Sequence, residues 1–295
     1  MELGAVLPTC EIGNDPDAIR DFAQTAEGLG YSHLLIYDHV LGAAHQDRDP
    51  PLTGPYTETD AFHEPMVLLG YLSAVTSRIE LATGVLILSQ RQTALVAKQA
   101  AELAILSRGR FRLGVGSGWN PVEYESLGVP FEGRGERLEA QVELMRRLWS
   151  EPLLDHEDAF HRIDRASILP RPERPIPIWF GGMGKRPISR AARIGDGFTF
   201  GGINRPIREA AAQLREELAR RGRADASFGV ETQVGFGLGP DIWRQAIELW
   251  EPLGLTHLSV RTMSTAAEWI REPDPGFTTP AEHIAALERF ASELR

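Results

Sequence analysis

Four short stretches of this chain hold residue types that do chemistry. Asp38-His39 sets a carboxylate beside an imidazole, which can give or take a proton near neutral pH. The plainer alternative for such a histidine is a hydrogen bond to a loop backbone. Gly84-Val85 puts a glycine inside an apolar run, where it marks a bulge, a ligand contact or a tight core position. Residues 114–120 read GVGSGWN. A dinucleotide fingerprint would open directly into a helix, but Pro121 and Pro130 intervene, so a glycine-lined wall of Gly116, Ser117 and Gly118 fits better. Trp119 is either a stacking surface for a flat ring or a residue that packs a lid. Residues 180–185 read FGGMGK. The successive amides of Gly181, Gly182, Met183 and Gly184 ahead of a helix, with Lys185 beside them, form an anion nest or else a plain turn.

These stretches fall at the ends of apolar runs that alternate with helical patterns. Strands are expected over residues 3–7, 33–37, 80–86, 111–115, 176–180, 197–200, within 228–236 and over 256–261. Helices are expected over 16–29, 64–76, 93–106, 135–149, 187–194, 206–221, within 241–253 and over 280–294. Asp15 and Pro16 mark the start of the first helix as N-cap and first helical residue. Strict alternation of eight strands with eight helices predicts a (β/α)₈ barrel, one domain over residues 1–295. The connections after strands at 40–63, 116–134 and 262–279 are long, and in a barrel these build the active-site face. An insertion at 151–174 follows a helix; it is expected to form a hairpin at the opposite end of the barrel, away from the chemistry.

Bulk properties remove several function classes. The net charge of −10 argues against a nucleic-acid partner. The single cysteine, Cys10, excludes an internal disulfide framework and fits a reducing cytoplasm. No apolar run is long enough for a membrane span and no leader precedes the first strand, so a soluble cytoplasmic protein is expected. His45, His63, His156 and His161 show no metal-ligand spacing, and no metal is expected. Lys98, Arg110 and Arg112 read as solvated or salt-bridging residues. There is no nucleophile elbow, so a hydrolase lacks its parts. Tyr56, Phe62, Trp269 and Phe277 in the long loops either roof an apolar pocket for a partly apolar small molecule or pack on one another.

Three segments carry a family likeness: FAQTAEGLGYSHLLIYDHV, EPMVLLGYLSAVTSRIELATGVLIL, and the run from RQTALVAKQ through GVGSGWNPVEYESLG to GERLE. Over roughly residues 22–200 the chain resembles the luciferase-like monooxygenase superfamily, and IYDHV, TGVLIL and GVGSGWN are most similar to its branch that uses the deazaflavin coenzyme F420. The resemblance implies a barrel, a homodimer, and a flavin-type ring at the top face. It implies a non-proline cis peptide between Gly84 and Val85 behind that ring, with His39 and Asp38 beside the reacting carbon. It places Gly116, Ser117 and Gly118 along the cofactor and Gly181–Gly184 at its phosphate. Where the branch that oxidises glucose 6-phosphate carries Thr-Gly-Glu, this chain has Ser117-Gly118-Trp119, so sugar-phosphate oxidation is not expected. The FMN branch often shows a serine after strand five; here the run is Phe180-Gly181-Gly182-Met183, which favours F420 over FMN. The alternatives are an FMN monooxygenase that activates O₂ with a flavin reductase partner, and a non-catalytic cofactor-binding or partner subunit.

Overall fold

Strands covered on both faces are rich in apolar residues, and HLLI and IWFG are buried at every position. The computed structural model describes residues 1–224, 227–265 and 267–294, so position 266 of the last long loop and the final residue, 295, lie outside the described residues. In chain order the elements are β1 (Glu2–Val6), α1 (Pro16–Gly28), β2 (His33–Ile36), α2 (Pro65–Val75), β3 (Glu80–Thr83), β4 (Leu86–Ile87), α3 (Thr93–Leu106), β5 (Phe111–Gly116), α4 (Pro121–Ser126), α5 (Arg134–Ser150), β6 (Leu154–Glu157), β7 (Arg162–Ala166), β8 (Ile178–Gly181), α6 (Lys185–Ile194), β9 (Gly197–Phe200), α7 (Arg205–Arg220), β10 (Gly229–Gly235), α8 (Pro240–Trp250), β11 (His257–Arg261), α9 (Ala267–Ile270) and α10 (Pro280–Leu294). β11 pairs with β1 and β3 pairs with β5, both in parallel, so the main sheet closes on itself. With β3 and β4 taken as one interrupted strand this is the expected (β/α)₈ barrel. No helix among the described residues is long and apolar enough to cross a membrane.

Local signals explain the helix starts. The Asp15 side chain accepts from the Asp17 amide ahead of Pro16, and the Glu64 side chain accepts from the Val67 amide ahead of α2. Three expectations need correction. The third strand is two pieces, β3 and β4, parted at Gly84-Val85. The loop at 116–134 contains the short helix α4, because Asn120 caps it through the Val122 amide and Pro121 starts it; that proline begins a helix rather than breaking one. The insertion does form a hairpin, β6–β7, but its tip reaches the active-site end: His161 Nε2 lies 2.7 Å from Thr93 Oγ1, at the first residue of α3.

Arg112 is not a surface residue either. Its guanidinium lies inside the barrel, 3.8 Å over the Trp179 ring, paired with Glu80 at 2.7 Å and Glu231 at 3.0 Å. Glu231 also meets His33 Nε2 at 2.8 Å and takes the Ser259 hydroxyl. Burial, with His33 and Arg112 nearby, pushes His257 down to about 3. A histidine depressed in the folded state binds its proton first in the unfolded chain. Stability therefore falls as pH drops from about 6.5 toward about 3, by at most about 1.4 kcal/mol per pH unit for one proton. Urea denaturation of wild type and His257→Gln between pH 7 and 4 is expected to show a shallower pH slope in the variant; equal slopes would remove His257 from the account.

Candidate active site

The two halves of the third strand are held in place by Asp38, just past the end of β2. Its side chain is fully buried. One oxygen accepts from the Ile87 amide at 2.8 Å and the other from the Arg91 guanidinium at 2.6 Å, while Arg91 also reaches Glu64 at 3.0 Å. Burial pushes the Asp38 carboxyl up, and Arg91 and the Ile87 amide oppose it. Both oxygens are thus engaged by the scaffold, and Asp38 holds Ile87 and Arg91 in place beside His39.

The Gly84–Val85 peptide is cis. Val85 then lies where neighbouring strands leave room for it. A Cβ on Gly116 would lie 2.6 Å from Val85 Cγ2, and one on Gly181 would lie 2.8 Å from Val85 Cγ1. Gly118 meets Ile87 in the same way, at 2.7 Å. These three glycines therefore seat the returning third strand, and none of them lines the cleft described below.

His39 sits at the mouth of β2, largely enclosed. Tyr56, Phe62 and Trp119 surround its ring edge-on, with centroids 5.1, 4.8 and 5.7 Å away. Its Nδ1 lies 3.3 Å from Glu123 Oε1, and that oxygen also accepts from the Val40 and Leu41 amides. Glu123 is 1% exposed, on α4. It was not anticipated from sequence; the Asn120-Pro121 helix start was the available signal. Nε2 of His39 has no protein partner among the described residues. A carboxylate holding one imidazole nitrogen and leaving the other free is the arrangement of a general acid–base. Trp119 packs the lid: its ring lies on Gly54 and edge-on to His45.

His39 opens into a cleft of about 820 Å³ at the carboxyl ends of the strands. Gly84, Val85, Ile87, Tyr56, Phe200 and Ile207 give it a mostly apolar lining, and Tyr37, just past β2, Gln233 of β10 and Arg261 of β11 supply polar groups. Beside it lies a second pocket of about 370 Å³. There the N-termini of α5 and α6 meet, and neither Gly133 nor Gly184 caps its helix with a side chain. Ser117, Arg134, Glu136, Lys185, Arg186 and Arg190 complete it, with Arg190 paired to Glu139 at 2.6 Å, and Met183, Gly184 and Lys185 line both spaces. Free helix N–H groups and four cations make an anion site.

Residues 1–278 match the luciferase-like monooxygenase family. The chain belongs to that family. It is an oxidoreductase by that membership. A relative from Kineococcus radiotolerans, named F420-dependent glucose-6-phosphate dehydrogenase, is 30% identical over 92% of this chain and 78% of its own length. Among solved structures, the monooxygenase RslO1 from Streptomyces bottropensis superposes with a TM-score of 0.77 at 19% identity, covering 100% of this chain and 98% of the other. The F420-dependent tetrahydromethanopterin reductase from Methanopyrus kandleri does so with 0.73 at 17%, covering 99% and 97%. These two likenesses are of fold.

Outside the family's top-face site, the insertion gathers groups that sequence spacing did not suggest. His156, Asp158 and His161 bring ligand-type atoms within 4.8 Å of one another. The hydrogen bonds explain the cluster without an ion. Arg147 donates to His156 Nδ1, so the His156 proton is on Nε2, facing Asp158 at 2.9 Å. Asp158 further accepts from the Phe160 and His161 amides, which closes the hairpin tip. A metal at Nε2 would require the proton on Nδ1, against the Arg147 donor.

The Asp38–Arg91 pair is testable as a coupled unit. Asp38→Asn is expected to lower the unfolding free energy by about 3 kcal/mol, because Arg91 is left partly buried and unpaired. In urea denaturation Asp38→Asn and Arg91→Ala together should cost clearly less than the sum of the singles. Strict additivity would show that the two do not act through each other.

Proposed function

We propose that this protein transfers a hydride between coenzyme F420 and a small organic substrate, with His39 handling the substrate proton. The observation that carries the reading is the pairing of the anion pocket with the apolar cleft across Met183, Gly184 and Lys185. A planar redox ring on a phosphate-bearing tail has the two characters those spaces ask for: a flat apolar body and an anionic chain. Gly84 and Val85 would back the ring, and the α5 and α6 N-termini with Lys185 and Arg190 would hold the phosphate. Ser117 lines the same pocket and would add a hydroxyl. The bound cofactor supplies a hydride acceptor or donor.

The protein's part is proton transfer and water exclusion. For a substrate alcohol, the C–H hydride leaves the carbon while His39 Nε2 takes the hydroxyl proton, giving a carbonyl; reduction runs both transfers in reverse. Glu123 on Nδ1 stabilises the imidazolium that forms. Tyr56, Phe62 and Trp119 keep bulk water from the ring. The name of the Kineococcus relative and the match to the family support the cofactor assignment. Trp119 stands where a carboxylate was expected for sugar-phosphate oxidation, but Glu123 delivers one to His39 by another route. The exposed Val67 of α2 and Leu95 and Leu106 of α3 support a homodimer through that face.

The test is a titration of the protein with F420 and with FMN, followed by tryptophan and cofactor fluorescence. F420 is expected to bind saturably and FMN more weakly, and Lys185→Ala should weaken F420 about 10-fold through loss of a charge-assisted contact. Alcohols screened against oxidised F420, and ketones against the reduced form, should give turnover. His39→Ala should cut that turnover about 100-fold and leave F420 affinity unchanged. Preference for FMN would move the protein to O₂ chemistry, and undiminished turnover in His39→Ala would remove the proton role.

A further inference from the structure

Gln233 is a polar side chain on a barrel strand, 3% exposed, lining the cleft. Its Oε1 accepts from the Tyr37 hydroxyl and, at 3.5 Å, from the Arg261 guanidinium. Arginine can only donate, so the amide cannot be turned round: the oxygen faces Arg261 and the NH₂ faces away. That Nε2 has no hydrogen-bond partner among the described residues. It is also absent from the unpartnered side-chain atoms that are sealed from solvent. Since Gln233 is otherwise enclosed, the surface left to its Nε2 is cleft surface. An amide fixed in orientation, with its two donors open only to a ligand-sized cleft, is placed to give them to whatever occupies that cleft.

The charge around it narrows what that acceptor is. Among the described residues of the lining, the buried cation, Arg261, is 4% exposed and already paired with Glu272, and the other cations, Lys185 and Arg271, are exposed side chains. Phe200, Ile207, Ala210 and Ile270 make much of the remaining lining apolar. We propose that Gln233 is the residue that selects the substrate, by donating its free amide hydrogens to an uncharged oxygen of a mainly apolar molecule, a ketone or alcohol rather than a carboxylate or phosphate. This rests on the reading of the cleft as the substrate site. It adds the substrate class and the residue that reads it. Tyr37 and Arg261 act as positioning residues, since they fix which way the amide faces.

The experiment uses the full chain, with and without F420, and three probes of one shape: 4-phenyl-2-butanone, butylbenzene, which lacks the oxygen, and 4-phenylbutanoate, which carries charge. Dissociation constants are read from quenching of tryptophan, Trp269 being in the cleft wall. Wild type should bind the ketone about 5-fold more tightly than butylbenzene, as expected for one neutral hydrogen bond, and should bind the carboxylate more weakly than the ketone. Gln233→Leu should erase the ketone preference. Gln233→Glu keeps an acceptor for Tyr37 and Arg261 but removes the amide donor, and it should erase the preference as well, in a protein whose circular dichroism and melting confirm folding. A ketone preference that survives in both variants, or a carboxylate that binds more tightly than the ketone in wild type, would overturn the proposal. Probe binding is read separately from F420 binding, so a protein that discriminates the ketone through Gln233 yet binds no F420 would overturn only the cofactor assignment.

Discussion

Asp38 is the residue on which the geometry of the top face depends. Its carboxylate is taken wholly out of water, at a cost that only good partners offset. The Ile87 amide and Arg91 are those partners, and each belongs to a segment that would otherwise be free to move. Ile87 fixes the restart of the third strand after its break. Arg91, also gripped by Glu64, fixes the approach to α3 and the start of α2. Val85 is thereby pressed into the space that Gly116 and Gly181 leave in β5 and β8. Three barrel strands and two helices are thus brought to one wall by a single buried charge.

The group proposed to handle the proton stands one residue later. Asp38 is turned into the scaffold, and His39 lines the cleft with its ring caged by aromatic side chains. Glu123 does for His39 what Arg91 does for Asp38: it fixes one polar edge and so defines the other. It also accepts the Val40 and Leu41 amides, which ties the root of the long loop to α4. The same carboxylate thus orients the imidazole and anchors the lid that shields it. A loop with no helix or strand of its own gains a fixed origin in this way.

The barrel was legible in the sequence because alternation is a local property, repeated eight times. His39, Gly84-Val85 and the FGGMGK run were legible for a related reason: each sits at the end of an apolar strand, where a barrel must display it. What escaped was long-range. Glu123 lies 84 residues from His39 and looks like one more charge on a short surface helix. Arg112 read as solvated or salt-bridging; it is salt-bridged, but only the fold reveals that a partner is Glu231, 119 residues away inside the barrel. The glycines of GVGSGWN were read as room for a ligand, whereas Gly116 and Gly118 make room for another strand of the same chain. Gln233 left a faint signal in GVETQVG, a buried strand with polar residues at alternate positions, but its partners Tyr37 and Arg261 come from distant strands.

The top face separates charge by position. On one side, two bare helix ends and four cations gather in a chain whose net charge is −10. That is where a negatively charged group must be drawn against the general field of the protein, and local dipoles acting over a few ångströms suffice. On the other side, Arg261 is cancelled by Glu272, and the enclosed part of the lining offers a ligand mainly apolar surface with the His39 imidazole and the Gln233 amide. An anionic tail entering the apolar cleft would meet no unpaired cation in its buried wall among the described residues, and an apolar body entering the anion pocket would strip water from charges without return. On the proposed reading the two halves of the site would sort the anionic and the apolar ends of the cofactor. The ring would then lie at the seam, between Met183 and Val85, within the cleft that His39 and Gln233 share.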